Sequence, residues 1–259
     1  MFDNICKFIA EEFSLDIATW LLGEPISFVA LSPKELSVDP IRTDSLILRQ
    51  SPDLILHAEF QTQVDAEIPF RMADYRLRSY RRFRDRPMRQ IVVYLTKTRS
   101  PLVYQNVFEI TGLRHEFEVI RLWEQPTAVF LTAPGLFPFA ILSQTEAKED
   151  VLREVARRVD EIPNRRIQSN IAASTSILAG LVLGQELIAQ ILRRDIMRES
   201  VVYQQLIREG KEEGRQEGRQ EGIQQVARNL LTNGMSLEQV SGFTGLSIAQ
   251  LQELPENPE

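Results

Sequence analysis

The chain has 259 residues, 43% of them hydrophobic and 25% charged, with a formal net charge of −6. That length can hold one substantial core plus an accessory region, and the acidic balance excludes attraction of nucleic acid by net charge, so such binding needs a local basic patch. The single cysteine, Cys6, excludes an internal disulfide framework and suits a reducing cytoplasm. Ile5 to Leu22 reads as an amphipathic helix, with Phe8, Ile9, Phe13, Ile17 and Trp20-Leu21 at helical spacing and Glu11 and Glu12 on the polar side. Ile26 to Leu36 reads as irregular structure or a strand.

Next come two apolar runs, Arg42-Thr43-Asp44-Ser45-Leu46-Ile47-Leu48 and Leu54-Ile55-Leu56-His57-Ala58-Glu59-Phe60-Gln61, joined by the polar, Pro-containing Arg49 to Asp53. This predicts a β-hairpin. A turn centred on Ser51-Pro52 sets Asp44 opposite Glu59, Leu46 opposite His57 and Leu48 opposite Ile55. Asp44, Glu59 and Gln61 then share one face, with His57. Two facing carboxylates repel, and a cation between them relieves the cost, which makes this a candidate metal site. A solvated polar face is the plain alternative.

Pro69 to Arg86 predicts a helix carrying Arg71, Arg76, Arg78, Arg81, Arg82, Arg84 and Arg86 against Asp74 and Asp85, with Tyr75 and Tyr80 interleaved. Its buried face is expected at Phe70, Ala73, Leu77 and Tyr80-Arg81. Arg71, Arg76, Arg78, Arg82 and Tyr75 are the candidate DNA contacts, through phosphate. The alternative is a charged face paired with acidic neighbours. Gln90 to Leu95 is a continuous apolar run that suits a central strand. Phe117 to Trp123 and Ala128 to Leu131 read as further strands, broken at Pro126 and Pro134.

From Lys148 onward the pattern is helical, with a stripe of Val151, Val155 and Val159, a break at Pro163, and one or two helices over Ile167 to Ile207. Ile171 to Gly184, the longest apolar stretch, is too short to cross a bilayer, and no leader is recognisable. The expectation is a soluble, cytoplasmic protein with no membrane partner. His57 and His115 lack metal-ligand spacing to each other or to Cys6, and no Gly-rich phosphate loop or Ser-His-Asp grouping stands out.

Glu209 to Gly222 repeats glycine every fourth residue. In a helix this stacks Glu213, Glu217 and Glu221 in one row and Arg215 and Arg219 in another. Like charges at i, i+4 and repeated glycines weaken an isolated helix, so either a second chain supplies the opposite row, giving a homo-oligomer, or the segment is a flexible linker. Ile223 to Leu231 reads as a short helix closed by Asn233-Gly234. Ser236 and Ser247 then cap two helices in a minimal helix-turn-helix pattern. The second of these, Leu246 to Leu254, has no Lys or Arg, which favours docking or assembly over base reading.

An Asp on one strand, Glu-x-Gln on the next and an Arg- and Tyr-rich helix resemble the PD-(D/E)xK nuclease superfamily, and within it the Rpn-type recombination-promoting nuclease and transposase group. Trp20-Leu21-Leu22-Gly23-Glu24-Pro25, Ile68 to Met72, Arg114 to Glu124 and the Glu-Gly-Arg-Gln repeats are similar to the cyanobacterial branch of that group. The resemblance places Asp44 at the Asp, Glu59 at the (D/E) and Gln61 at the Lys, with Thr43 where Pro would stand. Pro52-Asp53 falls at the hairpin apex and reads as turn chemistry.

The resemblance implies an α/β restriction-endonuclease-like core, a mixed central sheet flanked by helices, followed by an all-helical C-terminal region. The expected divisions are 1–145 for the core, 146–208 for helices packed on or extending it, 209–226 for the repeat and 227–259 for a small helical tail. It implies Mg²⁺ (or Mn²⁺) held by Asp44, Glu59 and the Phe60 carbonyl, with Glu12 as an additional ligand from the first helix. Gln61 positions a water without supplying charge. The implied activity is DNA endonuclease cleavage tied to recombination or mobile elements. The alternative is a silent relative serving as a DNA-binding or protein-interaction module.

Overall fold

Two helices, not one, begin the chain: α1 (Phe2–Glu12) and α2 (Ser14–Leu22), broken at Phe13 and ended by Gly23 in the left-handed conformation at φ 80°. The computed structural model describes residues 2–30, 46–50, 53–192, 194–197 and 199–253, and it divides into units 1–204 and 205–259. The first unit is built on a five-stranded sheet of order β1 (Val29–Ala30), β2 (Leu46–Gln50), β3 (Ile55–Gln61), β4 (Met88–Tyr94) and β7 (Glu118–Arg121). β1, β2 and β3 run antiparallel in turn. β3 then crosses over through α3 (Ile68–Arg82) to pair in parallel with β4, and β7 is parallel to β4.

The β2–β3 register differs from the expected one by two residues. Leu46 pairs with Glu59, Leu48 with His57 and Gln50 with Ile55. The polar Arg49 and Gln50, assigned to the loop on composition, are hydrogen-bonded strand. A shift of two preserves which face each residue belongs to, whereas a shift of one would have reversed it. Asp44 lies outside the described residues.

β3 is buried on both faces, which accounts for its nearly unbroken apolar run. On one face Ile68 and Met72 of α3 pack with Val92, Tyr94, Val103 and Phe117. On the other, Phe60 stacks on Phe139 with ring centroids 5.6 Å apart, and Trp20 meets both Phe130 and Phe139. α3 buries Ile68, Met72, Ala73, Tyr75 and Ser79. The expected face was wrong except at Ala73, since Phe70, Leu77 and Tyr80 are 52%, 53% and 54% exposed. Two apolar stripes run along this helix, and periodicity alone does not rank them.

A hairpin, β5 (Val107–Ile110) and β6 (Leu113–Glu116), turns through Thr111-Gly112 with Gly112 at φ 82° and sets Phe108 edge-on to Phe70. The segment read as a strand at Ala128 to Leu131 instead forms the helical turn α4 (Thr127–Phe130), started by Pro126. α5 (Phe137–Ala140) follows a 3₁₀ turn at Pro134–Leu136. In that turn the Gly135 N–H donates to Asp16 Oδ2 at 2.8 Å, and a Cβ at Gly135 would lie 2.3 Å from Phe13 Cβ. Gly135→Ala is therefore expected to lower stability by about 1–3 kcal/mol, measured by urea denaturation.

The unit closes with α6 (Lys148–Asp160), α7 (Arg165–Ala179), α8 (Gln185–Ile191) and α9 (Arg194–Met197). Thus Ile167 to Ile207 holds more breaks than expected. α7 starts at the Asn164 cap, whose side chain accepts from Ile167 N, and stops at Gly180.

The run Val201–Thr232 forms one helix, α10, straight through the glycine repeat. Within the second unit, Ala227 packs with Val240 of α11 (Leu237–Thr244) and Leu251 of α12 (Ile248–Gln252). Ser236 and Ser247 each form a full capping box, with Gln239 and Gln250, as their positions predict. Among the described residues no helix is long and apolar enough to cross a membrane.

Candidate functional site

Glu59 occupies the α3-facing side of β3 near its carboxyl end and is only 2% exposed. Three donors surround its carboxylate. Arg71 of α3 donates to Oε2 at 3.0 Å and Gln61 Nε2 to the same oxygen at 3.2 Å. His57 Nε2 lies 3.4 Å from Oε1. Burial pushes the carboxyl up, but His57 and Arg71 together outweigh it, so Glu59 sits below the ordinary carboxylate range and is ionised at neutral pH.

Arg71 also donates to Asp65 Oδ2 at 2.6 Å, bridging two carboxylates. Burial pulls its guanidinium down, and Glu59 with Asp65 more than reverses that. Tyr75 is 4% exposed and edge-on to His57 at 5.0 Å. Burial, reinforced by the charge of Glu59, pushes its phenol up to about 12. Tyr75 is thus core, not a surface contact for DNA, and the exposed tyrosine of α3 is Tyr80.

Behind Glu59 lies a second buried layer. Gln90 of β4, paired with His57 in the sheet, places Nε2 2.9 Å from His57 Nδ1 and donates to the Met72 carbonyl of α3 at 2.8 Å. His57 and Gln90 are 0% and 5% exposed. The sequence reading placed His57 on the Glu59 face but missed Gln90 and Asp65. A Gln at the start of the apolar run of a central strand is the signal in the sequence, because a buried amide needs partners.

Phe60 follows Glu59, with its ring in the opposite core. Leu95 N donates to the Gln61 carbonyl at 2.8 Å on the β4 side. Carbonyls alternate along a strand, so the Phe60 carbonyl points to the β2 side. Glu12 is bound to Arg166 of α7 at 2.5 Å and is not among the partners of Glu59. Among the described residues, no group of three or more His, Cys, Asp or Glu side chains is placed to hold a metal ion.

The arginines separate by role. Arg71, Arg78 and Arg82 lie at i, i+7 and i+11 and make one row spanning about 16 Å of α3. Arg78 pairs with Asp74 at 2.9 Å, and the Arg82 guanidinium lies 5.5 Å from the centre of the Phe83 ring. Arg76 falls off that row, half-buried near His115, whose imidazole is held below its ordinary value by burial and then by the Arg76 charge.

The chain therefore combines a mixed α/β unit containing a buried, ionised carboxylate with a small helix-turn-helix unit. Residues 220–256 match the family model described as Rpn/YhgA-like nuclease family, C-terminal HTH domain. The match supports the Rpn resemblance through the C-terminal unit and does not reach the sheet. No curated protein and no solved structure matches the chain.

Proposed function

We propose that the protein is a divalent-metal-dependent DNA endonuclease with a PD-(D/E)xK-type core, centred on Glu59. The observation that carries this is the ionised Glu59 carboxylate, buried on β3 beside Gln61 at the start of the Arg71–Arg78–Arg82 row. The strand directions support the core assignment: an antiparallel β1-β2-β3 meander followed by a β3-α3-β4 parallel crossover. Asp44, Glu59 and the Phe60 carbonyl would hold Mg²⁺ or Mn²⁺. When bound, that ion would offset the charge developing on phosphate and favour ionisation of the attacking water.

The residues of the chain do the rest. Gln61 orients the water through its amide but carries no charge. Arg71, touching the same Glu59 oxygen as Gln61, brings the positive charge that a Lys at position 61 would supply. Arg78 and Arg82 continue that charge outward along α3 for the DNA backbone, with the exposed Arg81 and Arg84 alongside. An association with recombination or mobile elements rests on the resemblance to the Rpn-type group alone.

One observation favours the rival reading of a silent module: Arg71, bridging Glu59 and Asp65, already neutralises the buried carboxylate without a metal. A nicking and cleavage assay with Mg²⁺ or Mn²⁺ separates the two. Wild type is compared with Asp44→Ala, Glu59→Ala and Glu59→Gln, which keeps the side-chain shape while removing the charge. Metal-dependent cleavage present in wild type and lost in all three variants supports the nuclease. Cleavage no higher than the variants' background on plasmid, linear and single-stranded DNA assigns the protein to the silent class.

A further inference from the structure

We infer that His57 and Gln90 form a positioning pair, in which Gln90 fixes the tautomer of His57 so that its Nε2 proton points at Glu59. This role rests on Glu59 being the site carboxylate. The Met72 carbonyl can only accept a hydrogen bond. Gln90 must therefore turn its amide nitrogen toward Met72, where the distance is 2.8 Å. The same nitrogen has a second proton and lies 2.9 Å from His57 Nδ1. Flipping the amide would set two oxygens 2.8 Å apart.

With Nδ1 accepting from Gln90, a neutral imidazole carries its proton on Nε2. Nε2 has no hydrogen-bond partner among the described residues, and Glu59 Oε1 stands 3.4 Å away. That is longer than a good hydrogen bond, so the donor is aimed at the carboxylate without being fully engaged. Tyr75, packed edge-on against the ring, limits its rotation. The outcome is a carboxylate with different groups at its two oxygens: His57, backed by Gln90 of β4, faces Oε1, while Arg71 of α3 and Gln61 of β3 donate to Oε2.

A metal ligand oriented by a donor behind it is a familiar arrangement, and loss of such a partner weakens metal affinity or activity by about 10–100-fold. His57 would act through Glu59, as a positioning residue that does not touch the substrate. The tautomer is set by the Gln90 amide, whose nitrogen can only donate to Nδ1.

The chain has only two histidines. Selective ¹⁵N-histidine labelling of full-length protein carrying His115→Gln therefore leaves one imidazole in the spectrum, recorded without metal. The expected spectrum is the Nε2–H tautomer, and Gln90→Glu is expected to put a proton on Nδ1. A protonated Nδ1 in the parent, or a Gln90→Glu spectrum identical to it, overturns the pairing.

Mn²⁺ titration supplies the second readout. His57→Gln retains an N–H for Glu59 and is expected to bind within about 3-fold of wild type, whereas His57→Leu falls about 10–100-fold. An equal fall in both variants would remove the positioning role. Absence of Mn²⁺ binding in wild type would sink the metal reading and with it the role at the metal, while the metal-free spectrum still decides the tautomer.

Discussion

Arg71→Met is expected to destabilise the protein by about 3 kcal/mol at pH 7, while Glu59→Gln changes stability by about 1 kcal/mol or less. The difference follows from which charge is left stranded. Methionine keeps much of the arginine stem volume but removes a permanent counter-charge from a carboxylate that is 2% exposed, and breaking one side of a buried pair costs about 3–5 kcal/mol. The low end applies because Arg71 keeps 24% of its surface in water. A ceiling comes from protonation. The variant escapes its stranded charge by taking up a proton on Glu59, at about 1.4 kcal/mol per pH unit above an ordinary glutamate pKa of about 4.3, or roughly 3–4 kcal/mol at pH 7. In Glu59→Gln the burial cost of the charge and the charge-assisted bonds disappear together, and the two largely offset.

The pH dependence has a definite sign. In wild type the folded Glu59 carboxyl lies below its ordinary value, so it contributes stability above the unfolded pKa and loses that contribution as pH falls through the folded one. Without Arg71, the burial that pushes this carboxyl up is less opposed. The deficit of Arg71→Met should therefore be smaller at about pH 4 than at about pH 7, and should fade only as pH falls through the lowered wild-type value. Urea denaturation of wild type, both single variants and the double variant at pH 4 and pH 7 checks this. Adding Glu59→Gln to Arg71→Met should recover most of the loss at pH 7. No recovery would mean that Arg71 stabilises through packing or Asp65 and not through Glu59.

What the sequence reveals here depends on whether a residue's partners are near it in the chain. The strand β3 and the shared face of His57, Glu59 and Gln61 follow from period-two alternation, which survives a two-residue error in register. The caps at Ser236 and Ser247 are read directly, since the cap and its N3 partner are three residues apart. The buried face of α3 is not readable that way, because Phe70-Leu77-Tyr80 and Ile68-Met72-Tyr75 are both credible stripes and the sheet decides between them. Ala128 to Leu131 looks like a strand by composition, yet Pro126 starts a helical turn there. The Gln90–His57–Glu59 layer joins residues 33 positions apart through the β3–β4 register. A Gln at the head of an apolar strand run announces that partners are needed without naming them.

Val240→Asp is expected to unfold the helices from Ser236 onward and remove any separate C-terminal thermal transition. Val240 is fully buried in a small cluster with Ala227 and Leu251. A core this small supplies at most about 3–5 kcal/mol, and an ionised carboxylate buried without a partner costs at least as much. The informative companion measurement is the salt dependence of DNA binding by the full chain. From Ala227 to Glu253 the only cation is Arg228, against Glu238 and Glu253, so α12 has nothing with which to grip phosphate. The exposed cations of this unit lie on α10 instead, with Arg208, Lys211, Arg215 and Arg219 at i, i+3, i+7 and i+11 on one stripe. Replacing Lys211, Arg215 and Arg219 by Gln should flatten the salt slope by up to about 0.9 for each phosphate no longer neutralised, whereas Val240→Asp should leave it unchanged. A helix-turn-helix that reads bases predicts a different result. Val240→Asp would then abolish preference among duplex sequences, and the α10 variant would weaken binding to all of them alike.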